Sequence, residues 1–339
     1  MSKNIKQYIP LLMILFVNLS IAHAQKKPQW LVYQGNEGPG KGKHIVFISG
    51  DEEYRSEEGL PMLAKILSQK HGFKCTVLFA IDSATNMINP ENQTNIPGLE
   101  QLRTADLMVL LIRFRELPDQ QMKYFDEYTN SGKPVIALRT STHAFNYSRN
   151  KNSPYAKYSY NSKVPGWEGG YGKRVLGETW IDHHGIHGKE GTRALVNGLL
   201  KDHPILRGVN DIWGPSDVYG IRTLSENPQV LLFGQSSLGM TPNSALSFTK
   251  SLMPIAWIKT HNLENGKKAK IFTSTMGASV DLLSEDLRRL VVNASYWAVG
   301  LENKIPEQND VQIIGEYKAT MFGFGKYEKG LSPANFLEK

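Results

Sequence analysis

Apolar and polar positions in the first half of the chain alternate between two periods. Residues 44–49 are a short β-rich run, residues 57–70 set Leu60, Leu63, Ile66 and Leu67 at helical spacing, and residues 73–80 are again strand-like. Two further apolar runs, 107–112 and 134–138, read as strands with a helix over 119–130 between them. Strand–helix–strand units with crossovers of this length build a parallel sheet covered on both faces. The expected fold class is therefore α/β, a doubly wound and mostly parallel sheet of flavodoxin-like kind.

From 140 to 191 the periodicity is lost and the chain becomes rich in Gly, Tyr, Ser, Asn and His. An irregular insertion of this length inside a domain usually serves a function. Strand-like runs return at 193–196, 230–234, 254–259 and 269–273. A helix over 284–299 then carries Leu287, Leu290, Val291 and Ala294 on one stripe, with Ser284 as its N-cap. The residues from 306 onward have no helical pattern and many aromatics, so an extended tail is expected to pack over the domain. The organisation expected is a leader at 1–24, a connector at 25–43, one domain at 44–301 and a tail at 302–339.

The leader has Lys3 and Lys6, an apolar run over 8–22, and Ala22-His23-Ala24 before Gln25, the pattern of a cleaved secretory signal. The run is shorter than the roughly twenty residues that span a bilayer. A periplasmic or secreted protein with no membrane segment after cleavage is expected. The formal charge is +7, and it falls to +5 without the two leader lysines. Lys41, Lys43, Lys267, Lys268 and Lys270 lie in polar stretches without interleaved aromatics, which argues against a nucleic-acid partner. With the single cysteine Cys75 inside an apolar run, no intramolecular disulfide can form and a core must supply the stability.

Candidate chemistry gathers in loops. Residues 35–41 imitate a phosphate-binding loop but precede their strand, and Gly42 stands where Ser or Thr would be needed, so they read as a connector. In a doubly wound sheet, ligands collect beyond the carboxyl ends of the strands. Glu53, Tyr54 and Arg55 follow the first strand, Arg113 follows the third, and Arg139 and His143 follow the fourth. These groups can bind hydroxyls and move protons, or merely flank a helix start and pair with one another. His183, His184 and His187 stand within five positions beside Gly185 and Gly188. Such imidazoles can share a divalent metal, contact a sugar hydroxyl or be structural, and the spacing matches no standard zinc signature. Tyr155, Tyr158, Tyr160, Trp167, Tyr171 and Trp180 in the same segment suit stacking on a sugar ring, although each taken singly suits a core.

Three stretches together resemble the ThuA-like (trehalose utilisation) family. They are Ile45-Val46-Phe47-Ile48-Ser49-Gly50-Asp51-Glu52-Glu53-Tyr54-Arg55, the strand and turn from Gly132 through Arg139 and His143 to Phe145, and His203-Pro204-Ile205 followed by Asp217-Val218-Tyr219. With Trp257 and Phe272-Thr273-Ser274-Thr275-Met276-Gly277 the similarity spans residues 43–301. The resemblance implies a class I glutamine amidotransferase-like fold. It does not imply glutaminase chemistry here, because the turn 138–142 holds no cysteine and Ser141 lacks a nucleophile-elbow context.

The resemblance further implies a small-molecule sugar as substrate, glucosides and in particular 3-keto-glucosides. The activity would be that of a lyase, hydrolase or isomerase working by acid–base or metal-assisted chemistry. His143, His183, His184, His187 and Glu53 are then the catalytic candidates, and the three loop histidines are the candidate ligands of a divalent metal. Tyr54, Arg55, Arg113, Arg139, Asp217 and Tyr219 are the candidate substrate contacts. A non-catalytic carbohydrate-binding protein, or a partner subunit of a sugar oxidoreductase, is the alternative, and a homo-oligomer is compatible with the sequence.

Overall fold

A computed structural model describes residues 29–337, so the leader lies outside the described residues. Ten strands form one sheet: β1 (Trp30–Tyr33), β2 (His44–Gly50), β3 (Lys74–Phe79), β4 (Leu107–Ile112), β5 (Val135–Leu138), β6 (Gly191–Val196), β7 (Trp213–Gly214), β8 (Gln229–Ser237), β9 (Met253–Asn262) and β10 (Lys268–Ser274). Their order is β1-β3-β2-β4-β5-β10-β9-β8-β6-β7. The helices are α1 (Ser56–Gln69), α2 (Asp119–Thr129) and α3 (Glu285–Ala298).

The strands from β3 to β10 in that order run parallel. From β10 outward through β9, β8, β6 and β7 every pairing is antiparallel, as is β1 against β3. The sheet is therefore mixed rather than mostly parallel. The reason is plain at the β9–β10 connection, where a short turn through Asn265 and Gly266 (φ +80) leaves no length for a crossover and forces a hairpin. A second departure is β1, which lies within the expected connector and pairs with β3. Residues 35–41 pack as well: the Gly40 amide donates to the His71 carbonyl at 2.8 Å. A Cβ on Gly35 would come within 2.2 Å of the Gly72 backbone. The stretch is a packed turn at the end of α1 and cannot cradle a phosphate.

Successive side chains of β2 explain the unbroken apolar runs. Ile45 and Phe47 join a core with Leu60 and Leu63 of α1 and Leu287, Leu290 and Val291 of α3. Val46 and Ile48 join a second core with Met122 and Phe125 of α2 on the opposite face. The second core also takes Tyr158 and Tyr171 from the irregular insertion, with Phe125 and Tyr171 ring centres 5.1 Å apart. Those two rings hold the insertion in place and are not free for a sugar.

The tail is a strap over α1 and the strand ends. Thr320 donates its amide to Glu58 at 2.9 Å, Tyr317 donates to the Ser279 carbonyl at 2.8 Å, and Arg55 donates to the Gly323 carbonyl at 2.6 Å.

Cys75 is fully buried in β3, and burial pushes its thiol well above the usual range. It should stay inert to an aromatic disulfide reagent until the chain unfolds, and Cys75→Ala should cost about 1 kcal/mol. Rapid labelling of the folded protein would contradict this.

Candidate functional site

Left-handed backbone marks the ends of three neighbouring strands: Arg55 (φ 60) at the mouth of α1, Phe114 (φ 49) just after β4, and Arg139 (φ 43) just after β5. Non-glycine residues seldom adopt this region, and they concentrate where surrounding structure imposes it for a purpose. Asp51 locks two of the turns together. One carboxylate oxygen accepts from the Glu53 and Tyr54 amides at 2.7 and 2.6 Å, and the other accepts from the Thr140 hydroxyl.

Above these turns the histidine loop pairs with the segment carrying Asp217. The His184 and Gly185 amides both donate to the Val218 carbonyl at 2.9 Å. Gly185 is required, because a Cβ there would lie 2.9 Å from the Asp217 Cβ. Asp217 is fully buried at the centre. Arg139 donates to its Oδ1 at 2.9 Å and to its carbonyl at 2.6 Å. His183 Nδ1 lies 2.6 Å from Oδ2, and His187 Nδ1 lies 3.2 Å from Oδ1. Burial alone would raise the Asp217 carboxyl, but the Arg139 charge and the histidine hydrogen bonds outweigh it and hold the group down at about 2.

An ionised Asp217 can only accept, so His183 must donate from Nδ1, and in the neutral ring Nε2 carries the lone pair. His187 has carboxylates on both sides, with its Nε2 at 3.2 Å from Glu53. The His183 and His187 side chains are 36% and 37% exposed, so an external molecule can reach both. Their ligand atoms and that of Asp217 all lie within 4.8 Å of one another. Two imidazoles and a carboxylate form a donor set suited to a zinc-like divalent ion.

Glu53 shares its environment with Arg113, whose Nε is 3.7 Å away, while Glu52 pairs with Arg113 and, at 2.7 Å, with buried Arg115. Burial, aided by the neighbouring Asp51 charge, raises the Glu53 carboxyl above the usual range against the pull of Arg113 and His187. His143 is held neutral, its pKa pushed well down by burial and by Arg113 and Arg139. Its ring sits 5.4 Å from Trp180 and 6.1 Å from Tyr219, behind the exposed histidines.

The structure thus brings Glu53, His183, His187 and Asp217 into one cluster and revises other expectations. His184 turns away, its Nε2 2.9 Å from the Ser251 carbonyl, and is not in the ligand set. Arg139 is no substrate contact: its guanidinium is buried, 3.8 Å from the Tyr219 ring centre and 4.5 Å from that of Tyr54. Tyr54, Arg55 and Tyr219 are buried too and position their neighbours, whereas Asp217, equally buried, holds His183 and His187 and keeps its carboxylate in the candidate metal set. Arg113 keeps a partly exposed side chain at the rim.

The sequence pointed to an extended tail over the domain but not to the aromatic side chains it brings to the site. Phe322 packs 5.3 Å from the His187 ring and 5.2 Å from Tyr54, and Phe324 lies 5.0 Å from the Arg113 guanidinium. Both come from a segment whose only signal was a high aromatic content. The prominent hollows lie elsewhere. One, between α1 and the strap, is lined by Glu57 and Tyr317, and the other, of about 630 Å³, is lined by Arg193, Trp213 and Met321. The histidine cluster lies outside both hollows, with His183 and His187 partly exposed over buried Glu53 and Asp217.

No family model and no curated relative matches the sequence. Among solved structures, a protein of Parabacteroides merdae is 15% identical with a TM-score of 0.47, the similarity covering 77% of this chain and 91% of that one. A protein of Bacteroides uniformis is 14% identical with a TM-score of 0.46, covering 78% of this chain and 95% of that one. Both are described only as ThuA-like, the family that the sequence resembles.

Proposed function

We propose that this is an exported enzyme of carbohydrate catabolism that acts on glucosides, in particular 3-keto-glucosides, by acid–base chemistry centred on His183. One observation carries the reading: buried, ionised Asp217 holds His183 through Nδ1 at 2.6 Å, leaving its other nitrogen on an exposed surface. An amidotransferase-like scaffold agrees with the parallel half of the sheet, and the left-handed turn after β5 carries Arg139, which has no nucleophilic atom.

In a 3-keto-glucoside the C2 proton is acidic because the carbanion left behind delocalises onto the keto oxygen. His183 Nε2 takes that proton, and the electron pair forms the enolate. The enolate then collapses to a C1–C2 double bond as the C1–O bond breaks, and the departing oxygen takes up a proton from Glu53. Glu53 is suited to that role by its raised carboxyl, since a carboxylic acid must retain its proton to donate one. Arg113 offers positive charge at the rim for the enolate oxygen. A divalent ion would be held by His183, His187 and Asp217 and would supply Lewis-acid polarisation of the same oxygen; because that occupies the free nitrogen of His183, it is an alternative to His183 acting as the base and not an addition to it.

Incubation of the purified protein with glucosides and their 3-keto forms should release the aglycone from the keto forms, and a 2-deuterated substrate should react more slowly. Elemental analysis should find about one divalent ion per chain if the metal assists, with His187→Ala removing it. Turnover of no member of the set would sink the enzymatic reading, and sugar affinity retained under those conditions would favour a binding protein.

A further inference from the structure

With Glu53 as the acid, the group that departs with the C1 oxygen must lie against the residues surrounding Glu53. The strap is built onto that same residue. The Gly323 amide donates to the Glu53 carbonyl at 2.9 Å, and the Gly323 carbonyl accepts from Arg55 at 2.6 Å. Gly323 takes φ +141, a conformation that residues with a side chain rarely adopt. The two rings that flank it have opposite fates. Phe322 turns inward, 6% exposed, and packs 5.3 Å from the His187 ring, whose Nε2 lies 3.2 Å from Glu53. Phe324 turns outward and is 56% exposed.

A single exposed phenylalanine is ordinary, but Phe324 is no loose surface ring. The Arg113 guanidinium lies 5.0 Å from its ring centre and 4.4 Å from that of Phe114. Phe114 holds a left-handed backbone (φ 49) that a bulky residue seldom accepts, and its amide donates to the His143 carbonyl at 3.0 Å. Arg113 is held in turn by Glu52 and, at 3.7 Å, by Glu53. A backbone anchored through Gly323 and a guanidinium fixed by two carboxylates thus hold a half-open ring beside the proton donor. A phenyl ring offers apolar area and a π-face but no hydrogen-bonding atom. It suits a flat unsaturated group better than a second sugar, whose hydroxyls need donors and acceptors.

We propose that Phe324 is the platform for the departing group, and that the preferred substrates are 3-keto-glucosides whose aglycone carries an aromatic ring. This rests on the acid–base reading above and deepens it, since it assigns the strap a part in choosing the substrate. Phe324 determines specificity and takes no part in moving protons.

Benzyl and methyl 3-keto-glucosides test this, because both release a simple alcohol of similar acidity and differ only in the ring. Wild-type KM should be about tenfold lower for the benzyl compound, with kcat within about twofold. Phe324→Ala should raise the benzyl KM about tenfold and leave both constants for the methyl compound within about twofold, and Phe324→Trp should restore the preference. Titration calorimetry on the full-chain His183→Gln, with and without Phe324→Ala, measures the same preference without turnover. A benzyl preference in binding that Phe324→Ala removes, in a protein that turns over neither compound, would keep the platform and retire the enzymatic reading. Turnover with equal KM and affinity for the two compounds, tighter binding of 3-keto-cellobiose than of the benzyl compound, or a benzyl preference that survives Phe324→Ala would overturn the platform and spare the enzyme. A Phe324→Ala effect of equal size on both substrates would show the ring to be structural and overturn the platform as well. Neither turnover nor binding of any of the three compounds would overturn both.

Discussion

Replacing Asp217 by Asn should lower turnover of the keto-glucoside by about 10³-fold and destabilise the fold by about 3 kcal/mol. The two losses have different origins. An amide can donate to His183 Nδ1, which would turn the exposed nitrogen into a proton carrier and disable it as a base. Stability falls because Arg139, fully buried and stacked between Tyr54 and Tyr219, loses its only carboxylate partner among the described residues. A buried guanidinium left unpaired costs far more than the ion pair itself contributes. The pH dependence carries the same signature. Asp217 sits near 2 in the folded chain against an ordinary 3.8, so it contributes stability above 3.8 that is lost as pH falls through the interval down to about 2. That contribution is about 2 kcal/mol, and denaturant titrations across the interval should show it in the wild type and not in the variant. Full activity in a destabilised Asp217→Asn would mean that the carboxylate is purely structural, and the acid–base assignment to His183 would fall with it.

Periodicity made most of the regular elements legible, since β2, α1, β3, β4, α2 and β5 each carry a length and spacing that local physics dictates. Strand direction was not legible in the second half. β9 and β10 look alike as apolar runs whether they pair parallel or antiparallel, and only the turn through Gly266 distinguishes the hairpin. β1 was hidden because four residues next to a glycine-rich stretch give too short a pattern to read.

At the site, residue types pointed to Glu53, His183, His187 and Asp217, but burial is a tertiary property and separates two classes that look identical in sequence. Arg113 reaches the rim while Arg139 and Arg115 are wholly enclosed, although all three follow apolar strands. His184 and His187 differ by three positions, and it is the pairing of the Gly185 backbone against Val218 that sends one toward Ser251 and the other toward Glu53. Phe322 and Phe324 arrive from more than 100 residues away along the chain, and no spacing rule connects them to the loop they cover.

Substituting the two exposed histidines separately should distinguish the base from its neighbour. His183 touches the protein through Asp217 and ring edges, and its side chain is over a third exposed, so His183→Gln should keep the folding free energy within about 1 kcal/mol of wild type. Its activity should nevertheless fall by 10²–10⁴-fold, roughly the range for loss of a general base. His187→Gln acts through Glu53. The histidine lies 3.2 Å from both Glu53 and Asp217, and its positive form opposes the rise of the Glu53 carboxyl. Without it, burial and the Asp51 charge act on Glu53 less opposed, so the carboxyl should keep its proton to higher pH. Because the proposed mechanism needs that proton for the leaving oxygen, the alkaline limb of the pH–rate profile should move upward in His187→Gln and stay in place in the residual activity of His183→Gln. A limb that moves in neither variant would remove Glu53 as the acid, and a limb that moves equally in both would mean that there is no division of labour between the two imidazoles.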